Sequence, residues 1–152
     1  PLSATIARAD LMNWHVGAHA STFGGNPVAI AASLKTFELL NNGLLANANA
    51  MGQRMMDGLR KLQEKYSTIV ADVRGLGLMI GIEFVKDLTS MTPWAALRNQ
   101  IETECFNRGL ILLGAGESTI RFSPPLVIDE DQVDCALSIL DEAIAASLKV
   151  VS

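Results

Sequence analysis

The spacing of apolar residues changes in the middle of the chain, and this change constrains the fold more than any other feature. On both sides of the middle, apolar side chains recur every three or four positions, as on one face of a helix. Over residues 78–85 they alternate instead. The predicted inward set is Leu78, Ile80, Ile82 and Phe84, and the outward set is Gly81 and Glu83. Alternation of this kind predicts a strand in a sheet with one covered face.

The same spacing and the residues that interrupt it predict an order of nine elements, together with a short helical turn at 10–14. We expect strands at 3–8, 69–73, 78–85, 110–113 and 119–122. Helices are expected to start at Asn26-Pro27, after Asn42-Gly43, at Thr92-Pro93 and at Asp129, where Gln132 completes a capping box. Gly109 is expected to end the third helix. Residues 51–152 therefore predict an α+β domain, a mainly antiparallel sheet covered by helices, to which 1–26 do not obviously belong.

Composition excludes several classes of protein. The chain has 152 residues, of which 49% are hydrophobic and 18% charged, against roughly 25% charged in an average domain, so some apolar surface is expected to be covered. A net charge of −4 without a basic stripe argues against a nucleic-acid partner. No apolar run reaches the roughly 18 residues of a membrane span. Cys105 and Cys135 follow no metal-binding spacing and are expected to be reduced packing residues.

The start of the chain carries two expectations. Pro1 stands where an initiator methionine would be, so we expect the chain to be a piece of a longer protein. No basic segment precedes an apolar stretch, as it would in a signal peptide, and we expect a cytoplasmic protein.

A small-residue loop at 17–27 is the most conspicuous local feature. It combines the hydroxyls of Ser21 and Thr22, the flexible backbone of Gly24 and Gly25, and the start of a helix. Such an arrangement can bind an anion, and the alternative is an ordinary glycine-containing loop. His19 alone is more typical of a hydrogen-bonded loop residue than of a catalyst. The Gly-x-Gly at 75–77 does not indicate a nucleotide site, since a strand rather than a helix follows it.

Three segments resemble one family in the same order along the chain. They are Ser-Thr-Phe-Gly-Gly-Asn-Pro at 21–27, Arg-Gly-Leu-Gly-Leu-Met-Ile-Gly-Ile-Glu-Phe at 74–84, and Ile-Arg-Phe-Ser-Pro-Pro-Leu-Val-Ile at 120–128. Together they resemble the class III aminotransferases, which use pyridoxal phosphate and include 4-aminobutyrate, acetylornithine and ornithine aminotransferases. The resemblance covers essentially the whole chain and implies the C-terminal part of such an enzyme.

The resemblance implies roles for particular residues. Thr22, with Ser21 and Phe23 beside it, matches the segment that binds the cofactor phosphate of the neighbouring subunit, which implies a homodimer or higher oligomer. Arg121 matches the arginine that pairs with the substrate carboxylate, for which a planar guanidinium is suited. Without the family, Arg121 would be interpreted as a surface arginine beside a strand. No residue is assigned as a metal ligand.

The resemblance also implies a division into domains. Residues 1–26 would be the last strand and loop of the large domain of a fold-type I enzyme, 27–50 a linking helix and 51–152 the small C-terminal domain. The Schiff-base lysine of the family lies shortly before the strand expected at the beginning of this chain, and the five lysines of this chain do not match its motif. The chain alone is therefore expected to be inactive and not to hold the cofactor covalently. We also expect non-native association or partial disorder around 9–25.

The expected reaction of the complete protein is transfer of an amino group from a 4-aminobutyrate-like donor to a 2-oxo acid such as 2-oxoglutarate. Racemases, aminomutases and decarboxylases share the same motifs and remain alternatives. A stand-alone, non-catalytic binding or dimerisation module is an alternative of another class.

Overall fold

The computed structural model describes residues 2–151, so Pro1 and Ser152, the outer limits of the expected domains, lie outside the described residues. The chain forms two compact units, which divide between Gly43 and Leu44. The expected division into 1–26, 27–50 and 51–152 concerns a complete enzyme and stays a prediction.

The first unit consists of turns followed by one helix. A hydrogen-bonded turn at 9–11 stands where a helical turn at 10–14 was expected, with the Leu11 N–H donating to the Arg8 carbonyl oxygen (3.0 Å). Helix α1 spans Pro27–Leu39, with proline at its first turn as predicted. The expected strand at 3–8 is wrong, because none of the described strands pairs with those residues. Every described residue of this unit is at least partly exposed.

A five-residue π-helical segment, Leu40–Leu44, follows α1. Within it Asn42 (φ −92°, ψ 27°) and Gly43 (φ 131°, ψ −24°) leave helical geometry, as the Asn-Asn-Gly sequence predicts. A φ of 131° is accessible to glycine at little cost and strained for a residue with a Cβ atom. Gly43 therefore interrupts the helical path at this point.

The second unit is an antiparallel sheet with helices, and the predicted α+β class is confirmed. Its elements are α2 Leu45–Lys65, β1 Val70–Leu76, β2 Met79–Phe84, α3 Ala95–Asn107, β3 Leu113–Ala115, β4 Thr119–Phe122 and α4 Glu130–Val151. The strands lie in the order β1-β2-β4-β3, and all three neighbouring pairs are antiparallel.

Helices α2, α3 and α4 enclose the core on one face of this sheet. The inward set predicted from the alternation is confirmed, since Leu78, just before β2, and Ile80, Ile82 and Phe84 within β2 are all buried. Leu59, Leu97 and Leu140 bring one fully buried leucine from each helix. Of the two cysteines, both of which are free, Cys105 is buried as expected, whereas Cys135 is exposed and has no packing role. None of the described helices is long and apolar enough to cross a membrane.

Three predicted boundaries in the second unit are wrong, and the first is the end of β1, which is expected at 73 and observed at Leu76. Thr92-Pro93 does not open α3: the Thr92 carbonyl oxygen accepts from the Lys86 N–H (2.8 Å) and Pro93 bridges to Val85, so the helix starts at Ala95. The strand expected at 110–113 is observed at Leu113–Ala115, because β3 pairs only where β4 lies opposite.

The helix ends that depend on local hydrogen bonds or on a glycine lie where the sequence predicts them. Gly109 (φ 88°) follows α3 as the predicted stop. The capping box of α4 is confirmed, with the Gln132 N–H donating to Asp129 Oδ1 (2.9 Å) and the Asp129 N–H to Gln132 Oε1 (3.1 Å).

Candidate functional site

The Ser21-Thr22-Phe23 segment lies in a tight turn on the surface of the first unit. The Gly24 N–H donates to Ser21 Oγ (3.1 Å), and the Asn26 N–H donates to the Phe23 carbonyl oxygen (3.2 Å). The hydroxyl oxygen of Ser21 therefore accepts a hydrogen bond within the turn and stabilises it. Among the described residues Thr22 has no hydrogen-bond partner, and it is exposed. Its hydroxyl and N–H are among the donors that this turn leaves available.

The N–H groups at the start of α1 are occupied within the chain, which favours the alternative of an ordinary loop at this helix end over anion binding there. Asn26 Oδ1 accepts from the N–H groups of Val28 (3.0 Å) and Ala29 (3.1 Å), and the Asn26 carbonyl oxygen accepts from Ile30 (3.0 Å). Pro27 has no N–H to offer. The cap thus satisfies the first-turn donors that an anion would need. Any phosphate contact from this segment must come from Thr22 and the loop around it.

His19 is close to the turn but does not form a catalytic pair. Its ring lies 6.3 Å from that of Trp14, centroid to centroid, with the planes tilted by 46°. A shallow cavity of about 400 Å³ is lined by Leu2, Ser3, His19, Ser21, Phe23 and Gly24. No carboxylate lines it, so the cavity lacks the partner that would orient an imidazole as a general base.

Arg121 lies on β4 in the second unit, so the candidate site residues are divided between the two compact units. Ile120 and Phe122, its neighbours in the strand, are buried in the core, and Arg121 projects from the opposite face of the sheet. Gly81 of β2 and Leu113 of β3 stand directly opposite Arg121 in the ladder. Within the described part of the chain, the guanidinium of Arg121 has no hydrogen-bond or ion-pair partner.

A second arginine in the same row of the sheet is fully engaged. Arg74 of β1 pairs across Gly81, and its Nη1 donates to Asp72 Oδ2 (2.8 Å) and Glu83 Oε2 (2.6 Å). The hydrogen bonds that Arg74 donates to these two carboxylates raise its pKa above the ordinary value. The row thus holds one neutralised arginine and one available arginine, with a glycine between them.

Arg121 borders an apolar cavity of about 350 Å³. Met55, Phe122 and Ala136 line it and are buried, so they form its floor. A loop around Pro124 and Pro125 forms one wall. The side-chain amide of Asn47 on α2 fixes this loop by donating to the carbonyl oxygens of Leu126 (2.7 Å) and Ile128 (2.9 Å).

None of the five lysines has the environment of an amine that forms an imine. Such an amine must be neutral at the pH of the reaction, which requires burial or a nearby cation to lower its pKa. All five are exposed: Lys35, Lys61, Lys65, Lys86 and Lys149. For Lys65 the hydrogen bond to Asp141 raises the pKa, which is the opposite of what the reaction needs.

Like the lysines, the buried cysteine is not suited to act as a nucleophile. Burial raises the pKa of Cys105 to about 12, so its thiol stays protonated near neutral pH. No group of three or more His, Cys, Asp or Glu side chains in the described residues could hold a metal ion. Among the candidate site residues, Thr22 and Arg121 are thus the ones that are exposed and have no partner within the described residues.

The sequence did not indicate the residues that give the Arg121 cavity its shape. Gln132 and Ala136 lie one helical turn apart on α4, and both line the cavity. Their spacing marks one face of a helix, but Met55 enters the same cavity from α2, about eighty positions earlier in the chain. Only the packing of α2 against α4 brings these residues together.

Comparison with known proteins defines the class of protein. The model of the class-III aminotransferase family matches residues 1–144, and the chain belongs to this family. Class III aminotransferases are pyridoxal-phosphate enzymes.

Particular relatives agree with this class. The chain is similar to acetylornithine aminotransferase of Thermosynechococcus vestitus (38% identity over 146 residues, 95% of this chain and 34% of that protein). It is also similar to diaminobutyrate–2-oxoglutarate transaminase of Oceanobacillus iheyensis (35% identity, 98% of this chain and 34% of that protein). The solved PMP-bound form of an aminotransferase from Vibrio fluvialis superposes with a TM-score of 0.80 at 27% identity, over 94% of this chain and 31% of that one. The chain thus spans about a third of the length of these relatives.

Proposed function

We propose that the chain is the C-terminal part of a pyridoxal-phosphate-dependent transaminase, to which it contributes a phosphate contact and a substrate carboxylate contact. The observation that carries the proposal is the contrast between Arg121 and Arg74. Two arginines share one row of the sheet, yet only Arg74 is neutralised by carboxylates of the chain. An exposed arginine without a counter-ion beside a cavity is suited to bind a carboxylate from outside.

Thr22 is proposed to bind the cofactor phosphate. Its hydroxyl and N–H are exposed and not used within the turn, and Gly24 and Gly25 on its C-terminal side leave room for a phosphate to approach. Ser21 and Phe23 would shape the same turn, Ser21 through its bond to the Gly24 N–H. Two donors fit part of a phosphate site, and the remaining donors would come from other parts of the enzyme. In the family resemblance this phosphate belongs to the neighbouring subunit, so we propose a homodimer or higher oligomer.

When bound, pyridoxal phosphate supplies the electron sink that makes the bonds at the amine-bearing carbon of the substrate labile. The proposed part of Arg121 is to hold the substrate carboxylate and so orient that carbon. A guanidinium can form two parallel hydrogen bonds with one carboxylate, which fixes both position and orientation. The engaged Arg74 would stabilise the β1–β2 hairpin rather than bind substrate.

We propose that this chain alone is inactive, because none of its five lysines matches the motif of the Schiff-base lysine and all five are exposed. The test is an absorbance spectrum of the purified chain after addition of pyridoxal phosphate and removal of the excess. We expect no retained band in the range of roughly 410–430 nm in which such protein imines absorb. A stoichiometric band that is lost on changing one lysine would contradict the proposal.

The amino donor is proposed to be an amino acid whose reacting amine lies at the end of its side chain. The donors named for the two relatives, acetylornithine and diaminobutyrate, both carry such an amine, and so does the 4-aminobutyrate expected from the sequence. We propose 2-oxoglutarate as acceptor, which is the acceptor in the name of the Oceanobacillus iheyensis relative. In the complete enzyme, 1–26 would end the large domain, 27–50 would link the domains and 51–152 would form the small domain.

A chimaera tests the proposed roles in catalysis. The C-terminal third of the Thermosynechococcus vestitus relative would be replaced by this chain, and amino transfer to 2-oxoglutarate measured with acetylornithine, diaminobutyrate and 4-aminobutyrate. Arg121→Gln is expected to raise KM for these carboxylate donors roughly ten- to hundredfold, as loss of a charged hydrogen-bonded pair does. A simple amine without a carboxylate should be affected little.

Arg74→Gln is the matched control, because it removes an arginine from the same row of the sheet without removing an available cation. Equal effects of the two substitutions on KM would contradict the role of Arg121. Racemisation or movement of the amine without any transfer to 2-oxoglutarate would instead identify a racemase or an aminomutase.

A further inference from the structure

The Asn42-Gly43 dipeptide has no part in the proposed function, and it lies where the first compact unit ends. Asn42 is exposed, and its side-chain amide has no hydrogen-bond partner within residues 2–151. Gly43 is exposed as well, and a Cβ atom added to it would meet no other atom within 4 Å. The side-chain amide of Asn42 and the backbone of Gly43 are therefore both accessible and free of packing.

An asparagine followed by glycine can lose ammonia without an enzyme. The backbone nitrogen of Gly43 would give up its proton to a base and form a bond to Cγ of Asn42. The bond from Cγ to the amide nitrogen then breaks, and the nitrogen leaves as ammonia. The product is a five-membered cyclic imide. Glycine favours this attack because it has no side chain to hinder the approach of its nitrogen.

We propose that Asn42 is a site of spontaneous deamidation through this imide. Water opens the ring at one of its two carbonyl groups. Opening at Cγ leaves an aspartate in place of Asn42, whereas opening at the main-chain carbonyl leaves an isoaspartate, in which the main chain runs through Cβ and Cγ. In sum, one amide and one water give one carboxylate and one ammonium ion, with no oxidation or reduction.

The backbone conformation of Asn42 controls the rate of ring closure. At the observed ψ of 27°, the Gly43 nitrogen is turned away from the Cβ atom of Asn42, so the attack requires rotation about the bond from Cα to the carbonyl carbon. Inside a regular helix, the backbone hydrogen bonds oppose such a rotation. Here both residues already leave helical geometry, and glycine has many allowed conformations. The reaction is therefore expected to proceed in the folded chain.

Two other asparagines of the chain serve as internal controls. Asn26 precedes Pro27, whose backbone nitrogen carries no hydrogen and cannot close the imide. Asn47 lies in α2, and its side-chain amide donates to the carbonyl oxygens of Leu126 (2.7 Å) and Ile128 (2.9 Å). Both should keep their amides while Asn42 loses its own.

The reaction would change the connection between α1 and α2. It adds a negative charge just after the C-terminal end of α1, where the helix dipole disfavours one, and the isoaspartate adds a methylene group to the main chain. In the complete enzyme 27–50 would link two domains, so this link would be altered. Only this last consequence rests on the proposed function. A chimaera that fails to transfer amino groups would leave the reaction at Asn42 untouched.

Incubation of the folded chain at physiological temperature, followed by digestion at mildly acidic pH and peptide mass spectrometry, tests the proposal. The mass gain from replacing an amide nitrogen by oxygen identifies the residue, and chromatography against synthetic peptides separates aspartate from isoaspartate. We expect conversion at Asn42 to be at least roughly tenfold faster than at Asn26 or Asn47. It should be faster at higher pH, because a base removes the proton from the Gly43 nitrogen. Aspartate without isoaspartate would overturn the imide, since direct hydrolysis of the amide gives aspartate alone.

Two variants test the two reacting groups separately. Asn42→Gln keeps an amide but would require a six-membered ring, and it should abolish conversion. Gly43→Ala places a side chain beside the attacking nitrogen and should slow conversion at least roughly tenfold. Because the φ of 131° is strained for alanine, circular dichroism checks the fold of that variant, and Asn42→Gln keeps the glycine and does not depend on it. Conversion at the same rate in the folded Gly43→Ala variant would overturn the attack by that nitrogen.

The same chain unfolded in urea gives the rate without the constraints of the fold. We expect conversion of Asn42 in the folded chain to be within roughly tenfold of that rate, because the helical path is already interrupted at this dipeptide. An Asn42 that stays intact in the folded chain while the unfolded chain reacts would show that the fold prevents the rotation, and it would overturn the proposal.

Discussion

Both compact units of the chain contain helix caps and turns, but only the second unit has buried residues. The first unit, up to Gly43, has a capped helix and several turns, yet none of its described residues is buried. The second unit, from Leu44, contains every buried residue of the core. The comparison teaches that capping and turn signals act locally, whereas strands and cores need a partner elsewhere in the chain.

Two phenylalanines provide the sharpest test of this difference. Phe84 on β2 is fully buried, whereas Phe37 on α1 is 63% exposed. Phe84→Ala should lower the free energy of unfolding by about 3–5 kcal/mol, because it removes buried apolar area and leaves a cavity. Phe37→Ala should change it by less than about 0.5 kcal/mol. Urea unfolding followed by circular dichroism measures both, and similar losses in the two variants would mean that α1 is packed against a core.

Removal of the helix caps also tests the difference in packing between the two units, with a smaller expected loss of stability. Asp129→Ala removes the bond from the Gln132 N–H at the start of α4 and should lower the stability of the second unit by about 1 kcal/mol. Asn26→Ala removes two equivalent bonds at the start of α1. That variant should lose helical ellipticity at low denaturant without moving the midpoint of unfolding. A shift of the midpoint in both variants would show that the two units unfold together.

Acid should act on the second unit through Asp134. A hydrogen bond from Arg54 lowers the pKa of Asp134 in the folded protein. Because the folded pKa lies below the unfolded value of about 3.9, the pair stabilises the fold above that pH, and the contribution is lost as the pH falls through the folded pKa. The effect is small, since both side chains are largely exposed to solvent.

Urea midpoints measured between neutral and acid pH check this expectation. Asp134→Asn should flatten the acid side of the stability profile. Asp10→Asn in the first unit, which removes an exposed pair with Arg8, should leave the profile as it is. A profile that responds equally to the two substitutions would contradict the assignment of the cooperative core to the second unit.

The elements that the sequence predicts correctly are those with a local cause. Asn26-Pro27 and the Asp129–Gln132 capping box start their helices where expected, because each bond joins residues within one turn. The alternation in β2 also predicts its buried face, since period two follows from strand geometry alone. The strand expected at 3–8 fails for lack of a partner strand, and β3 is displaced by its pairing with β4.

The sequence predicted which residues belong to the candidate site, but not the contacts that those residues make. Thr22 and Arg121 were assigned by resemblance, and their roles stay predictions. That Arg121 is available while Arg74 is neutralised depends on the register of β1 and β2, which no motif contains. The hydrogen bonds from the Val28 and Ala29 N–H groups to Asn26 likewise depend on the side-chain conformation of Asn26, and they favour the ordinary-loop alternative at the start of α1.

Amide hydrogen exchange of the purified chain, resolved by mass spectrometry, tests the contrast between the two units most directly. We expect slow exchange in β2, α2 and α4, and fast exchange from the N-terminal residues through α1, including the 9–25 region expected to be partly disordered. The loop that carries Thr22 should then be mobile in this chain until another surface covers it. Slow exchange throughout α1 at the level of α2 would contradict the account, because it would mean that the first unit is stably packed without a further partner.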